Sequence, residues 1–296
     1  IFYLLSALNK TLTFNSDTNS ELLDKIKSKH NFTLREKPDR ELELQAEVGS
    51  GIDVLQYFVS KANVEKLKGK ANGGDGVCVL SNDEFEKKKF SKTEKEIIKP
   101  YYTTEQLQKY FGNSENKYWI LYTKSDIGKL DKKTKKIPIN DYPKIKEHLD
   151  NFKSIITSDN KPYGLHRTRE QHLFEGEKIF ALRKCPTEPR FTYTDFDCYV
   201  SRAFLVVQSD RINLKYLTGL LNSKLVAFWL RKKGKMQGNA YQLDKEPLLE
   251  IPIYKPADKD ANEIVKLVDK IISLKQQGKD SSEQEKKIDE LVYKLY

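Results

Sequence analysis

The sequence has few of the residues from which disulfides, metal sites and membrane spans are built. Its three cysteines, Cys78, Cys185 and Cys198, form no CxxC pair, and its four histidines show no metal-ligand spacing. This pattern predicts neither a disulfide framework nor a structural zinc site, and it favours a reducing, cytoplasmic compartment. No apolar run approaches the roughly 20 residues of a transmembrane helix, and the chain does not start like a signal peptide. We therefore expect no membrane contact.

Common catalytic motifs are missing as well. No Gly-rich loop follows a predicted strand, and the chain has neither a Walker-type Lys-Ser/Thr pair nor a Ser nucleophile elbow. One loose pattern remains, because Asp75, Glu86 and Lys88 match the Asp…Glu-x-Lys order of metal-dependent nucleases. That chemistry needs two carboxylates on a metal ion and a lysine near the attacking water. A nuclease thus stays open as an alternative, against a solvated charged face.

Positive charge is concentrated in the middle of the chain. Residues 1–48 carry 7 basic and 8 acidic side chains, and residues 255–296 carry 9 of each. Residues 49–254 carry the other 37 basic and 26 acidic side chains, a net charge of +11. A basic middle between neutral ends favours a polyanion such as nucleic acid, and an inert lysine-rich surface is the alternative.

The apolar pattern predicts an α/β (mixed α+β) fold in three segments. Residues 1–48 are predicted to be helical, with residues 48–51 as a turn, and residues 49–254 form the central domain. Within that domain, short strands alternate with turns at 178–207, and a helix capped by Asn213 follows. Residues 255–296 are predicted to form a helical hairpin, whose two apolar stripes are Ile264, Leu267, Val268, Ile271 and Ile288, Leu291, Val292, Leu295. A helical module that docks another subunit is a further alternative.

Basic side chains on two parts of the central segment are candidates for reading base edges. A planar guanidinium makes bidentate contacts to guanine and to phosphate, and polar groups on a loop can read bases without disturbing a core. The candidates are His166, Arg167, Arg169, Arg183 and Arg190. The alternatives are a loop that only packs on the sheet and ordinary ion pairs with nearby acidic residues, Glu188, Asp195 and Asp197.

A second group is predicted to hold phosphates. Lysine is a mobile point charge, which suits a phosphate anchor. Four cations and a glutamine at 231–237 follow the end of a predicted helix, where cations also favour the helix dipole. The phosphate candidates are Lys184, Arg202, Lys232, Lys233, Lys235 and Gln237.

Several motifs occur in an order that resembles one known family. They are Tyr-Gly-Leu-His-Arg-Thr-Arg at 163–169, Glu-Lys-Ile at 177–179, Asn-Leu-Lys-Tyr-Leu-Thr-Gly-Leu-Leu-Asn-Ser-Lys-Leu at 213–225, Lys-Met-Gln-Gly at 235–238 and Pro-Leu-Leu-Glu-Ile-Pro-Ile at 247–253. Residues 161–254 thereby resemble the TaqI-like C-terminal specificity domain of adenine-specific DNA methyltransferases and type II (IIG-like) restriction–modification enzymes. Ile-Lys-Pro-Tyr at 98–101 and the segments 117–122 and 288–296 extend the likeness over the last two thirds of the chain.

The resemblance implies recognition of double-stranded DNA without catalysis. It implies a target-recognition domain with a mixed sheet, flanked by N-terminal helices and a C-terminal helical hairpin. The Asn/Asp-Pro-Pro-aromatic motif of the methyltransferase half is absent, and the chain does not begin with Met. We therefore expect a fragment of a bacterial or archaeal protein that holds no cofactor itself. In the parent enzyme, the missing methyltransferase domain is the expected partner, with S-adenosylmethionine, and Mg if a nuclease is fused.

Overall fold

The computed structural model describes residues 40–42, 46–254 and 257–296. Most of the helical segment predicted for residues 1–48 lies outside these ranges. None of the helices in the described ranges has both the length and the apolar character needed to cross a bilayer.

The chain divides into two compact units, which are described separately. The central unit comprises residues 48–182 and 191–208. The terminal unit comprises residues 183–190 and 209–296, together with the described residues before 48. The chain thus belongs to the terminal unit for eight residues between two segments of the central unit. The three-segment division predicted from the sequence has other limits and remains a prediction.

Short strands and helices alternate along the described residues. The strands are β1 (Arg40–Glu41), β2 (Glu47–Ser50), β3 (Val79–Ser81), β4 (Ile98–Tyr102), β5 (Tyr110–Phe111), β6 (Tyr118–Leu121), β7 (Lys178–Leu182), β8 (Lys184–Cys185), β9 (Phe191–Thr194), β10 (Tyr199–Val200), β11 (Phe204–Gln208), β12 (Lys235–Gln237), β13 (Ala240–Gln242) and β14 (Pro252–Ile253). The α-helices are α1 (Lys61–Lys66), α2 (Asn82–Lys88), α3 (Lys92–Glu96), α4 (Pro143–Asp150), α5 (Leu214–Leu221), α6 (Lys224–Lys233), α7 (Lys245–Leu249), α8 (Asp258–Gln276) and α9 (Ser282–Leu295).

Two mixed sheets organise the central unit. One has the order β10-β4-β6-β3, in which only the β10–β4 pair is parallel. The other has the order β2-β11-β7-β9-β5, in which β5 and β9 are parallel and β7 is antiparallel to both β11 and β9. All residues of β7 and β9 are buried, as expected for strands that are covered on both faces. The strands predicted between residues 178 and 207 are confirmed.

The start of the described chain differs from the prediction. Residues 47–50 form the strand β2 instead of a turn, and β1 pairs with β14, so this end of the predicted helical segment is extended. The next residues are also extended, since Ile52 pairs with Ser201 and Asp53 pairs with Arg167. These partners are remote in sequence. These strands are therefore defined by pairing with remote residues, and no periodic pattern within the segment itself predicts them.

The helix predicted after Asn213 is confirmed, but it is interrupted. The Asn213 side chain accepts hydrogen bonds from the N–H groups two and three residues later, at 2.9 and 3.0 Å, and so caps α5. The Ser223 hydroxyl accepts a hydrogen bond of 3.3 Å from the N–H of Val226 and begins α6, which ends at Lys233, before Gly234. Serine favours caps over helix interiors. One predicted helix is therefore two.

A buried glutamate of the central unit caps two helices. The Glu94 carboxylate accepts hydrogen bonds from the N–H of Ser91 (2.8 Å), at the start of α3, and from those of Lys144 (2.6 Å) and Ile145 (3.3 Å), at the start of α4. Burial acts to raise the pKa of Glu94, but these hydrogen bonds outweigh it and lower the pKa below its ordinary value. The ionised form is thus part of the packing of α3 and α4.

The predicted C-terminal hairpin is confirmed as α8 and α9. Its buried apolar side chains are Ile264, Val268 and Ile271 of α8 and Ile288, Val292 and Leu295 of α9. A Cβ atom on Gly219 of α5 would lie 2.6 Å from Cγ2 of Ile264, so glycine permits the close approach of α5 and α8. Leu267 and Leu291 were predicted in the same stripes, but they are only partly buried and line a groove with charged neighbours.

Because of this packing, two adjacent residues of α9 are expected to contribute differently to the stability of the fold. Val292→Ala is expected to lower the free energy of unfolding by about 2 kcal/mol, because it leaves a cavity between packed helices. Leu291→Ala is expected to cost less than about 1 kcal/mol, although it removes the larger side chain. Urea unfolding followed by circular dichroism compares the two variants. Equal losses would contradict the burial pattern of α9.

Candidate nucleic-acid interface

Three arginines of the central unit are held around one extended segment, residues 51–53. Arg167 and Asp53 exchange two backbone hydrogen bonds, of 3.2 and 2.9 Å, and the N–H of Arg202 donates to the Ile52 carbonyl oxygen at 2.8 Å. A third arginine reaches the same segment with its side chain. We define the arginine cluster as Arg167, Arg169 and Arg202, all of which are exposed.

Asp53 orients the guanidinium of Arg202. The carboxylate lies 3.3 Å from Nη1 of Arg202, and it is 10% exposed whereas the Arg202 side chain is 65% exposed. A nearly buried acid thus holds one side of a guanidinium whose other donors remain accessible to a partner. The pair joins residues 149 positions apart. No local pattern in the sequence marks Asp53 as part of a site.

Arg169 has a backbone conformation that usually favours glycine. Its φ angle is +66°, in the left-handed region, where a side chain costs roughly 1–2 kcal/mol. Two hydrogen bonds hold it there. Its Nε donates to the Gly51 carbonyl oxygen at 3.3 Å, and its own carbonyl oxygen accepts from the Tyr122 hydroxyl at 2.7 Å. Strained residues concentrate at functional sites, so this conformation keeps Arg169 a candidate for a functional role.

Two side chains fix the backbone of the loop that carries Arg167 and Arg169, residues 158–169. The Ser158 hydroxyl donates to the Gly164 carbonyl oxygen at 2.8 Å. The Asn160 amide donates to the carbonyl oxygens of Leu165 at 2.8 Å and His166 at 3.2 Å. Because its carbonyl groups are already bonded, the loop is held in one conformation before any partner arrives. Ser158 and Asn160 were not among the predicted site residues.

His166 is the least accessible of the candidates on this loop. Its side chain is 19% exposed, and Nδ1 lies 3.3 Å from a carboxylate oxygen of Asp159, without the direction of a hydrogen bond. The ring therefore faces Asp159, while Arg167 and Arg169 are exposed on either side of Thr168.

A glycine and two tyrosines, Tyr57 and Tyr101, lie beside Ser201. A Cβ atom on Gly51 would overlap the Ser201 carbonyl oxygen, so only glycine permits this approach. Burial raises the pKa of Tyr57, and hydrogen bonds with Tyr101 and Ser201 partly offset the effect. The neutral phenol thus bonds to Ser201, the residue before Arg202.

Three of the predicted phosphate ligands share one face of a small sheet in the terminal unit. The sheet has the order β12-β13-β8, and Gln242 lies directly opposite both Lys235 and Lys184. Gln237 lies two residues beyond Lys235 on the same face, because side chains alternate along a strand. We define the basic sheet face as Lys184, Lys235, Gln237 and Gln242. The opposite face carries Cys185 and Tyr241, which are buried.

Arg183 is engaged inside the terminal unit. Its Nη2 lies 2.8 Å from the Asp244 carboxylate, and Lys235 shares this carboxylate at 3.4 Å. The hydrogen bond from Arg183 is the main cause that lowers the pKa of Asp244. Arg183 therefore fixes a residue just after β13, and a contact with a base would compete with this ion pair.

The remaining candidates differ in exposure. Lys232 is exposed and lies 5.7 Å from the ring centre of Phe228, which is itself 39% exposed. Lys233 is 25% exposed and lies 3.9 Å from Glu250, and Arg190 is half-buried.

The predicted residues form two groups, each within its own unit. The central unit holds His166, Arg167, Arg169 and Arg202, and the terminal unit holds Arg183, Lys184, Arg190, Lys232, Lys233, Lys235 and Gln237.

Neither alternative function is favoured by the described residues. The Asp75 carboxylate accepts a hydrogen bond from the N–H of Asn72 in its own turn, and Glu86 is exposed on α2. The described ranges contain no group of three or more His, Cys, Asp and Glu side chains that could hold a metal ion. For the docking alternative, the buried stripes of α8 and α9 pack inside the terminal unit, including against α5.

Comparison with known proteins assigns this arrangement to a class, a specificity domain. The family model of the TaqI-like C-terminal specificity domain matches residues 99–253, and the chain belongs to this family. Among solved structures, the chain is similar in fold to the type IIL restriction-modification enzyme MmeI, solved in complex with DNA. The identity is 12% and the TM-score 0.58, over 89% of this chain and 34% of that one. A second match is the type IIG restriction endonuclease BpuSI, with 11% identity and a TM-score of 0.41, over 94% and 33% of the two chains.

The chain therefore spans about a third of the length of each of these two enzymes. No curated protein matches the sequence. The family resemblance and the mixed α/β fold predicted from the sequence are confirmed. The prediction of a recognition module is also confirmed, because the matched family is a specificity domain. The individual site residues remain predictions.

Proposed function

We propose that the chain reads a specific sequence of double-stranded DNA through the arginine cluster. The observation that carries the proposal is three exposed arginines that are anchored by hydrogen bonds to one extended segment, residues 51–53. Arginine makes bidentate hydrogen bonds to O6 and N7 of guanine in the major groove, where each base pair shows a distinct pattern. Leu55, two residues after Asp53, is 42% exposed and suits contact with a thymine methyl group.

Phosphate contacts complete the proposal. The basic sheet face presents Lys184 and Lys235 beside two amides, Gln237 and Gln242, in one plane. Ammonium and amide donors bind phosphate oxygens without reading sequence, so they position the duplex. Lys232 and Lys233 are further candidates at the end of α6. The net charge of +11 on residues 49–254 supports a polyanionic partner.

We further propose that the parent enzyme is an adenine-specific methyltransferase of a bacterial or archaeal cytoplasm. Its methyltransferase domain would use S-adenosylmethionine, and a fused nuclease would use Mg. The support is the family to which residues 99–253 belong and the similarity in fold to a restriction-modification enzyme. Adenine methylation requires the base to leave the stack, so recognition by this chain would set which adenine is flipped.

A selection experiment tests the recognition function directly. The 296-residue chain is used to select duplexes from a random pool, and binding to the selected and scrambled sequences is then measured by fluorescence anisotropy at rising salt. We expect one enriched motif and a logarithm of affinity that falls steeply with the logarithm of salt, by roughly 0.9 per phosphate contacted. No enrichment, or an affinity that does not depend on salt, would contradict the proposal. Methylated adenines at this motif in the source genome would support the proposed parent enzyme, and their absence would contradict it.

A further inference from the structure

A lysine-rich turn of the central unit is not part of either surface described above. Residues 129–136 read Lys-Leu-Asp-Lys-Lys-Thr-Lys-Lys, with five lysines and one acidic residue. All five lysine side chains are exposed. We call residues 129–136 the lysine turn.

The lysine turn is closed by its own hydrogen bonds. The N–H of Asp131 donates to the Lys136 carbonyl oxygen at 2.8 Å, and the N–H of Lys135 donates to the Asp131 carbonyl oxygen at 2.9 Å. The Asp131 carboxylate accepts from the Thr134 hydroxyl at 2.7 Å and from the N–H of Lys133 at 2.8 Å. The only acidic group of the turn is thus used internally. The five ammonium groups project from a defined scaffold.

The base of the turn is anchored in the core. Ile127 and Ile139 flank it, both are buried, and the N–H of Ile139 donates to the Ile127 carbonyl oxygen at 2.8 Å. At Gly128, a Cβ atom would lie 2.9 Å from Cδ2 of Tyr163. The turn therefore lies against Tyr163, at the start of the loop that carries Arg167 and Arg169.

The lysine turn and the arginine cluster are close enough along the chain to contact the same DNA duplex. Arg167 follows Tyr163 by four residues, and four residues of extended chain span at most about 14 Å. This limit corresponds to at most about four base pairs of B-DNA at roughly 3.4 Å each. The base of the lysine turn is therefore within half a helical turn of DNA from the arginine cluster.

Two exposed apolar side chains lie beside the lysines. Among the described residues, five large hydrophobic side chains are exposed, and two of them lie at the two ends of the turn: Leu130, 60% exposed, and Ile137, 36% exposed. Basic and apolar side chains together fit the phosphates and sugars of a nucleic-acid backbone.

We infer that the lysine turn is a second DNA contact, which binds backbone phosphates outside the base pairs that the arginine cluster reads. The inference rests on the proposed recognition of DNA. Lysine is a flexible point charge, so the turn adds affinity that depends on salt and not on sequence. The footprint of the protein on DNA therefore extends beyond the sequence it recognises.

The test compares two variants of equal charge on two lengths of duplex. In the turn variant, Lys129, Lys132, Lys133 and Lys136 are replaced by Gln. In the control variant, the exposed Lys266, Lys270, Lys286 and Lys294 of α8 and α9 are replaced by Gln. On a duplex extending about ten base pairs beyond the selected motif on each side, the turn variant is expected to lose more than about tenfold in affinity and to reduce the salt slope by roughly 2–4. The control variant is expected to change neither.

Three further measurements make the outcome decisive. On a duplex trimmed to the motif, the turn variant is expected to bind like the wild type, and its preference for the motif over a scrambled sequence is expected to stay unchanged on both lengths. The corresponding Lys→Arg variant is expected to keep the wild-type slope. The inference would be overturned by an unchanged salt slope of the turn variant on the long duplex, by an equal loss of affinity on the short duplex, or by an equal loss in the control variant. In each of these cases, binding by the wild type would still support the proposed function. Wild-type protein that binds neither duplex would instead overturn the proposed function itself.

Discussion

Replacing Arg167, Arg169 and Arg202 together by lysine is expected to lower the preference for the selected duplex over a scrambled one by more than about a hundredfold. A bidentate arginine–base pair contributes about 1–3 kcal/mol of discrimination, and lysine has no planar fork with which to replace it. The charge is unchanged, so the salt slope on the scrambled duplex is expected to stay the same. Anisotropy titrations on both duplexes at several salt concentrations measure both quantities.

The basic sheet face supplies the matched comparison. Replacing its Lys184 and Lys235, together with Lys232 at the end of α6, by alanine is expected to weaken binding to both duplexes by a similar factor and to reduce the salt slope by roughly 2–3. Melting temperatures show whether each variant is still folded. We expect the arginine-to-lysine variant to fold, because the lysine in place of Arg202 still carries the positive charge that faces Asp53. If the arginine-to-lysine variant kept its preference, the cluster would only hold phosphates, and base recognition would lie in other loops.

Glu94→Ala is expected to lower the free energy of unfolding by about 3 kcal/mol or more. The substitution leaves the buried N–H of Ile145 and the part-buried N–H groups of Ser91 and Lys144 without their acceptor, and an unpaired buried donor costs roughly 1–3 kcal/mol. Glu96 lies two residues later on the same helix and is exposed, so Glu96→Ala is expected to cost less than about 0.5 kcal/mol. Chemical unfolding at neutral pH compares the two variants.

The same carboxylate makes stability depend on pH. The pKa of Glu94 is lower in the folded protein than its ordinary value, which is about 4.3 for an unperturbed glutamate. Its contribution is therefore present above that value and is lost as the pH falls through the lower, folded pKa. Glu94→Gln is expected to remove this part of the acid sensitivity, whereas Glu96→Gln is expected to leave it unchanged. Identical slopes of stability against pH between about 5 and 3 in the wild type and Glu94→Gln would contradict the assignment.

Local patterns in the sequence were sufficient for part of the fold. The β-branched and aromatic residues of β7, β9 and β11, the Asn213 cap and the apolar stripes of α8 and α9 each produce their structure from neighbouring residues. The segment around Gly51 shows the limit of such patterns. Glycines at 49 and 51 are typical of a turn, but Gly51 is required because the Ser201 backbone occupies the space that a Cβ would need. That approach depends on residues far away in the sequence.

The candidate site shows the same limit. Residue type identified Arg167 and Arg169 as candidates for base contact and Arg202 as a candidate for phosphate contact, and these roles remain predictions. Their common anchor at residues 51–53 depends on contacts between remote segments and could not be predicted. Arg183 looked equivalent to them in sequence. Its partner Asp244 is 61 residues away, and this ion pair is a property of the folded terminal unit. Composition can propose which cations are available, but tertiary contacts decide which of them are already engaged.

Neither unit of this protein is a continuous piece of polypeptide. Residues 183–190 interrupt the central unit and contribute β8, the edge strand beside β13, to the terminal unit. Expression of residues 209–296 alone would therefore leave β13 without its neighbour and remove Lys184 from the basic sheet face. An exchange of the arginine-bearing unit between related proteins would have to join the chain at Leu182 and at Phe191, so that the recipient keeps its own eight-residue insert. Transplanting recognition thus means joining the chain near residue 48, on both sides of the insert and after residue 208, and not making a single cut between two halves.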